Sequence, residues 1–404
     1  MTIRQETTRS WPHPLVSVGA LMGIAIATAP GSLPRDAMIA AVLVAAFGVS
    51  GALIGALAGR LWPCRNRSRR ITTAVCGLFS LGLVAQMVWW QSRLHDAVGR
   101  QGVDLSWVLT ALTPIAAVIA VCAVGRRVRI AGAVVAAAVA LTVLSSPTGA
   151  AGPPESVSQK FVSAGAVPGS LRVYGELDDR DVSVRARATV ERWQAAGGMD
   201  RDAVVVAVPT GSGWVDPDAM VGFERRLGGN VSVIAVQYSD IPSWRAFVTS
   251  SEPARSNAVA VVSALIDAID IEPDSSRPQI YLFGQSLGAI GADAARQWVA
   301  HHHPGALCHT VLAGAPAGSA TLAAPDTTVF ANGSDPVVRW SPTLLWQPPR
   351  VPPTLSSDLP RAPWFPIASF VQTSADLIGA LSFPAGHGHQ YGTEQGLLVP
   401  RCPR

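Results

Sequence analysis

The sequence predicts an α/β chain: a three-layer domain on a mostly parallel sheet, preceded by an all-α transmembrane bundle of four to five helices. Three observations carry that expectation. The 404 residues are 49% hydrophobic and only 14% charged, with a mean hydropathy of +0.30, whereas about 25% charge is usual in soluble domains. The apolar excess falls in the first 146 residues, as long runs that hold no Asp, Glu or Lys. Beyond residue 170, short Val, Ile and Ala runs alternate with amphipathic segments, the pattern of strands buried on both faces and joined by helical crossovers.

Composition also narrows the function. The charge deficit argues against an ordinary cytosolic enzyme, a disordered chain and a nucleic-acid binder. Of 31 basic residues only Lys160 is a lysine, a bias that reads as a GC-rich genome and not as a phosphate-binding surface, despite a net charge of +4. The five cysteines form no CxxC-like cluster, so no structural zinc is expected.

The helical half comes first. About 20 apolar residues are needed to cross hydrocarbon. Met38–Leu57, Ile71–Trp90 and Leu105–Val124 meet that length, and Leu15–Ala29 and Ile130–Leu144 are shorter spans. The first also has the outline of a signal peptide, but Pro12 and Pro14 interrupt its basic region and more hydrophobic segments follow. Arginines set the orientation, because cytoplasmic loops retain positive charge. Arg4 and Arg9 precede span one; Arg60, Arg65, Arg67, Arg69 and Arg70 separate spans two and three; Arg126, Arg127 and Arg129 separate spans four and five. With five spans everything after residue 146 faces outward, and with four it faces the cytoplasm; the Arg126–Arg129 cluster favours five. Uncharged spans leave no ion or proton pathway, so this half reads as an anchor. Gly48, Ser50, Gly51 and Gly55 suit close helix packing.

Residues 147–169, rich in Pro, Gly and Ser, read as a tether, and 170–404 as the globular domain. Strands are expected at Leu171–Tyr174, Ala203–Val208, Val231–Val236, Ile280–Phe283, Thr310–Ala313 and Thr328–Ala331. Helices are expected at Val184–Gln194, Asn257–Ile269 and Ala289–Val299.

The chemistry starts where the strand IYLF ends. Gly284-Gln285-Ser286-Leu287-Gly288 follows it and runs straight into a helical pattern, which is G-x-S-x-G in its strand–turn–helix setting. Ser286 would stand exposed above the sheet, with a helix amino terminus behind it that favours developing negative charge. A serine hydroxyl needs a base, and the base an orienting carboxylate. The carboxylate expected is Asp335 in TTVFANGSDPVV, just after a strand; Asp326 would lie at the opposite edge. For the base, PAGHGHQY offers two histidines. His387 is preferred, because A-G-H-G resembles the histidine loop of dienelactone hydrolases and prolyl oligopeptidases, with His389 as the alternative. The oxyanion donors expected are the amide of Leu287 and that of Thr210 or Gly211, in the PTGSG loop after AVVVAV. His301, His302 and His303 read as a solvated helix end, and no metal site is expected.

Taken together, VAVPTGSGWVDP, VQYSDIPSW, LFGQSLGAIG, SDPVVRWSP, WFPIASFVQTSADL and PAGHGHQYG resemble an actinobacterial α/β-hydrolase family that joins an N-terminal multi-spanning region to a C-terminal catalytic domain. The resemblance covers nearly the whole chain. It implies an α/β-hydrolase fold in which Ser286, Asp335 and a histidine of GHGH are catalytic, with Thr210, Gly211, Tyr238 and Trp244 near the site. One departure is a shorter stretch between Gly314 and the Asp335 strand.

The aromatic-rich stretch between acid and base, with Trp340, Trp346, Trp364, Phe365 and Phe370, reads as a pocket wall, a surface resting on the bilayer, or core packing. Cys308 and Cys402, the only cysteines of the second half, are candidates to pair if that domain is extracytoplasmic, though their separation is not set by the sequence. The function expected is a membrane-anchored serine hydrolase of carboxylic esters, lipid-like ones of the cell envelope, needing no cofactor and no nucleic acid. The alternatives are an acyltransferase using the same acyl-enzyme and a non-catalytic membrane protein that binds a lipid or partner.

Overall fold

The computed structural model describes residues 11–62, 66–100, 102–113, 157–241, 250–271, 277–319, 324–353 and 359–402. The chain forms two compact units that do not follow its order. One holds residues 1–150 with 341–348 and 358–379; the other holds 151–340, 349–357 and 380–404.

In the first unit, helices α1 (Pro14–Thr28), α2 (Ala37–Ala58) and α3 (Asn66–Ala97) are followed by a helical stretch, α4, at 105–113. α1 and α2 approach through their glycines. A Cβ at Gly51 would collide with the Gly19 carbonyl, one at Gly23 with the Phe47 carbonyl, and one at Gly55 with the Leu15 carbonyl, so only bare backbone permits this approach. Among the described residues two helices are long and apolar enough to cross a membrane, at Ala37–Ala58 and Ser68–Ala97. Most of the fourth expected span and all of the fifth lie outside the described residues, so the bundle of four to five helices rests on sequence alone. Ile71, Leu78, Phe79, Leu81 and Trp89 line the exterior of α3, where water would make them costly.

The second unit is a six-stranded, all-parallel sheet in the order β1-β3-β2-β4-β5-β6. Its strands are β1 (Leu171–Gly175), β2 (Ala203–Val208), β3 (Val231–Val236), β4 (Gln279–Gln285), β5 (Leu307–Ala313) and β6 (Thr327–Phe330). β2 and β3 are buried along their whole length, as the AVVVAV run and the VSVIAV stretch, apolar but for Ser232, predict. The crossover helices are α6 (Val182–Ala195), α7 (Pro217–Arg226), α8 (Glu252–Ile269) and α9 (Leu287–His302). α7 is absent from the sequence expectation. Its signals were local ones: Asp216 caps it by accepting from the Asp218 amide, and Pro217 opens it.

Residues 157–169 are not a free tether. They carry helix α5 (Val157–Ser163), which buries Phe161 in the core. Arg172 locks the segment down: Nη1 donates to the Phe161 and Ala164 carbonyls at 2.9 Å each, while Nε meets Glu224 Oε1 at 2.5 Å. The Val167 amide donates to the same Glu224 carboxylate. The globular fold therefore begins by residue 157, and not at 170. At the other end, Cys308 on β5 and Cys402 form a disulfide, with their Cα atoms 5.9 Å apart.

From β2 the chain turns to β3 on one side, whereas from β4 it moves to β5 on the other. The carboxyl ends of β2 and β4 thus flank the reversal point, where open parallel sheets leave a crevice for ligands.

Candidate active site

Register brings the site residues together. Val208 ends β2 beside Gly284 of β4, Gln285 lies beside Ala313 of β5, and Ala313 beside Phe330 of β6. The loops that follow these residues all leave one edge of the sheet.

Ser286 sits in the turn between β4 and α9 with φ 56° and ψ −124°, a backbone conformation that costs a non-glycine residue about 1–3 kcal/mol. The flanking glycines make the turn possible. A Cβ at Gly284 would lie 2.6 Å from the Ala289 nitrogen, and one at Gly288 would strike the Val208 carbonyl and come within 3.1 Å of that of Pro209. Leu287 opens α9, so its amide has no intrahelical acceptor.

The candidate carboxylate meets a histidine in the interior. Asp335 is fully buried; its Oδ1 accepts from the Val337 amide at 2.8 Å and its Oδ2 lies 2.7 Å from His389 Nδ1. The preference for His387 is therefore corrected. The ring of His387 is half-buried and makes no hydrogen bond among the described residues, because the acid turn grips the histidine loop in the other register. Asn332 Nδ2 donates to the Gly388 and Gln390 carbonyls, and the Gly388 amide donates to Ser334 Oγ at 2.9 Å. The His389 amide donates to Ala380 O at 2.8 Å. Asp326 precedes β6 and lies exposed at the opposite edge.

With Nδ1 on Asp335, His389 presents Nε2, which is buried and has no hydrogen-bond partner among the described residues. Ser286 and this ring flank one peptide. The Ser286 amide donates to Ala313 O at 3.0 Å, and the ring covers Gly314, where a Cβ would stand 2.9 Å from His389 Cε1 and 2.7 Å from the Tyr391 hydroxyl. Gly314, at φ 55°, is thus a site residue that sequence reasoning passed over; the signal was the GAP step directly after a buried strand.

Tyr391 is another. Its hydroxyl donates to Asp335 Oδ2 at 2.6 Å and accepts from the Asn332 amide at 3.3 Å. Burial first, and the Asp335 charge second, hold its proton on well above the ordinary tyrosine range. It therefore remains a donor across the working pH range.

Of the two further oxyanion candidates, Thr210 donates its amide to Trp214 O at 2.9 Å, so it is not a free donor. The Gly211 amide has no such acceptor among the described residues. The loop is held by the Tyr174 hydroxyl, which donates to Gly213 O at 2.7 Å. Tyr238 packs with Leu287 and Ile290, its hydroxyl buried without a partner among the described residues and its proton held by burial, with the pKa raised. Trp244 lies outside the described residues. His301, His302 and His303 are at the carboxyl end of α9, and His302 contacts the Trp298 carbonyl and ring.

A carboxylate-bound imidazole across one peptide from a serine turn is the kind of arrangement that proton transfer from a hydroxyl uses. Comparison with curated proteins and with solved structures finds no match. A family model described as the alpha/beta-hydrolase family matches residues 171–324 and 319–398, more than half of the chain. A parallel sheet with a strained serine turn after its fourth strand and a buried acid–histidine pair agrees with that match, and the chain belongs to the alpha/beta-hydrolase family.

Proposed function

We propose that the protein is a membrane-bound serine hydrolase of carboxylic esters, acting on lipid-like esters at the cell envelope. The observation that carries this reading is the buried His389–Asp335 pair, whose unpartnered Nε2 lies across one peptide from the strained Ser286 turn. Ser286 Oγ attacks the acyl carbon while His389 Nε2 takes its proton. Asp335 fixes the tautomer and stabilises the imidazolium that forms, with Tyr391 holding the carboxylate in place. The amides of Leu287 and Gly211 receive the oxyanion. His389 returns the proton to the leaving alkoxide, and the same base then activates the water that releases the acid.

The catalytic half faces outward, below five spans. Loop arginines support this orientation, as does the Cys308–Cys402 disulfide, a bond that persists in oxidising compartments. A parity argument supports it too. Arg35, between α1 and α2, pairs with Asp376 of the downstream half within one compact unit. Residues on the same side of a membrane are separated by an even number of crossings, which four spans after Arg35 satisfy and three do not. An ester substrate of the envelope suits an enzyme so placed.

The test is labelling of the full chain in detergent by a fluorophosphonate. Wild type is expected to be modified at Ser286, and Ser286→Ala to be silent. Folded wild-type protein that resists the probe would remove the hydrolase reading.

A further inference from the structure

The segment between acid and base belongs to the unit of the apolar helices, and one arginine holds it there. Helix α10 (Ala368–Ile378) carries Gln372 and Asp376 against the loop joining α1 to α2. Gly31, Ser32, Leu33, Pro34 and Arg35 of that loop are all buried. Arg35 Nε and Nη2 donate to Asp376 Oδ1 at 3.0 and 2.7 Å, Nη2 donates to the Gln372 carbonyl at 2.8 Å, and Nη1 donates to Gln372 Oε1. The Ser32 amide donates to Asp376 Oδ2 at 2.7 Å, and Gln372 Nε2 donates to the carbonyls of Ile26 and Ala27. The helices in turn hold Arg35: its amide donates to Gln91 Oε1 of α3 at 2.8 Å, and Trp107 Nε1 of α4 donates to its carbonyl at 3.1 Å.

Four residues beyond Asp376 the chain reaches Ala380, whose carbonyl accepts the His389 amide. Gly388 packs flat on that same carbonyl, where a Cβ would collide. The backbone that seats the base is therefore tethered, through one short peptide, to the carboxylate that Arg35 grips.

We propose that Arg35 is a positioning residue for His389, so that the helical unit sets the catalytic base as well as anchoring the chain. The inference rests on the hydrolase reading above. Without Arg35 the buried Asp376 carboxylate loses the cation that pairs with it, a loss that drives an ion back to water. α10 has eleven residues, too few to persist as an isolated helix. Its departure would pull on Ala380 and loosen the histidine loop on Asp335.

The experiment uses the full chain in detergent, comparing wild type, Arg35→Ala, Arg35→Lys and Asp376→Asn. Fluorophosphonate capture of Ser286 is followed at graded probe concentration, and rates are normalised to folded protein by near-UV circular dichroism. Arg35→Ala is expected to lower the maximal capture rate at least about tenfold, since a misplacement of about 1 Å can cost about 100-fold, while half-saturation stays the same. Arg35→Lys, which keeps one contact to Asp376, should recover part of the rate. A lower melting temperature with an unchanged maximal rate per folded molecule would overturn the proposal and leave Arg35 a structural staple. If the alanine variant does not fold, Arg35→Lys and Asp376→Asn decide by the same reading, a wild-type rate in both overturning it. Wild type that labels shows the hydrolase reading intact whichever way the variants fall; wild type that fails to label removes that reading and this inference together.

Discussion

Exchanging His389 for glutamine, with His387→Gln as its matched control, separates two histidines that differ by two positions in one loop. Glutamine at 389 can still donate an amide hydrogen toward Asp335 Oδ2, but it cannot carry a proton from Ser286 to the leaving group. Loss of the base from such a triad costs about ten-thousand- to million-fold in kcat, or about 5–8 kcal/mol at about 1.4 kcal/mol per decade. The fold should survive. Asp335 keeps the Val337 amide and the Tyr391 hydroxyl as donors, so even full loss of the His389 bond costs about 1.5–3 kcal/mol, against the 5–15 kcal/mol by which domains are usually stable. His387→Gln, at a half-buried ring with no hydrogen bond among the described residues, should stay within about twofold of wild type, as surface substitutions do. Hydrolysis of a short-chain p-nitrophenyl ester by the full chain in detergent reads both variants, with circular dichroism confirming the fold. An active His389→Gln beside a dead His387→Gln would refute the assignment of the base and the loop register behind it.

Tyr391→Phe removes one donor from Asp335 Oδ2 and leaves the Asn332 amide without its acceptor; unfolding free energy should fall by about 2–4 kcal/mol, measured by urea denaturation. Burial raises the Asp216 pKa to about 6, so this group favours folding fully only below its unfolded value near 4, and that contribution disappears as pH rises from about 4 to about 6, a change on the order of 2–3 kcal/mol. Asp216→Asn should accordingly stabilise the protein at pH 7 relative to wild type and lose that advantage by pH 4, in melting curves at the two pH values; an equal effect at both would contradict a raised pKa. The Cys308–Cys402 bond closes 94 residues, and in the chain-entropy account its reduction should cost about 4–5 kcal/mol, seen as a lower denaturant midpoint with reductant that is absent in the Cys308→Ala variant.

Much of the second unit was legible because its signals are local. The strands are short, mostly apolar stretches rich in β-branched, aliphatic or aromatic residues, and all six lie within a few residues of their expected places. G-x-S-x-G announced its turn because only glycine tolerates the carbonyls that approach positions 284 and 288. The choice between His387 and His389 was not legible, since both sit among glycines and the ring that faces Asp335 is selected by Asn332, Ser334 and Ala380, remote in sequence from the loop. Thr210 looked like a free donor for the same reason: nothing in PTGSG shows that the turn closes on Trp214 O. Residues 157–169 looked like a tether from composition, and the buried Arg172–Glu224 pair that holds them joins positions 52 residues apart.

By itself the sequence determined the apolar amino-terminal runs, the parallel α/β layering, the serine turn and the loops from which acid and base would come. Each of these depends on residue type over a few neighbours: hydropathy, β-propensity and the steric freedom of glycine. Tertiary structure alone decided which imidazole meets the carboxylate, that Gly314 and Tyr391 complete the site, and that residues 341–348 and 358–379 fold with the helices of residues 1–150. Those outcomes turn on hydrogen bonds and ion pairs between positions up to about 340 residues apart, as between Arg35 and Asp376; a buried charge takes whichever partner the fold brings within reach, and residue type over a short window carries no record of that partner.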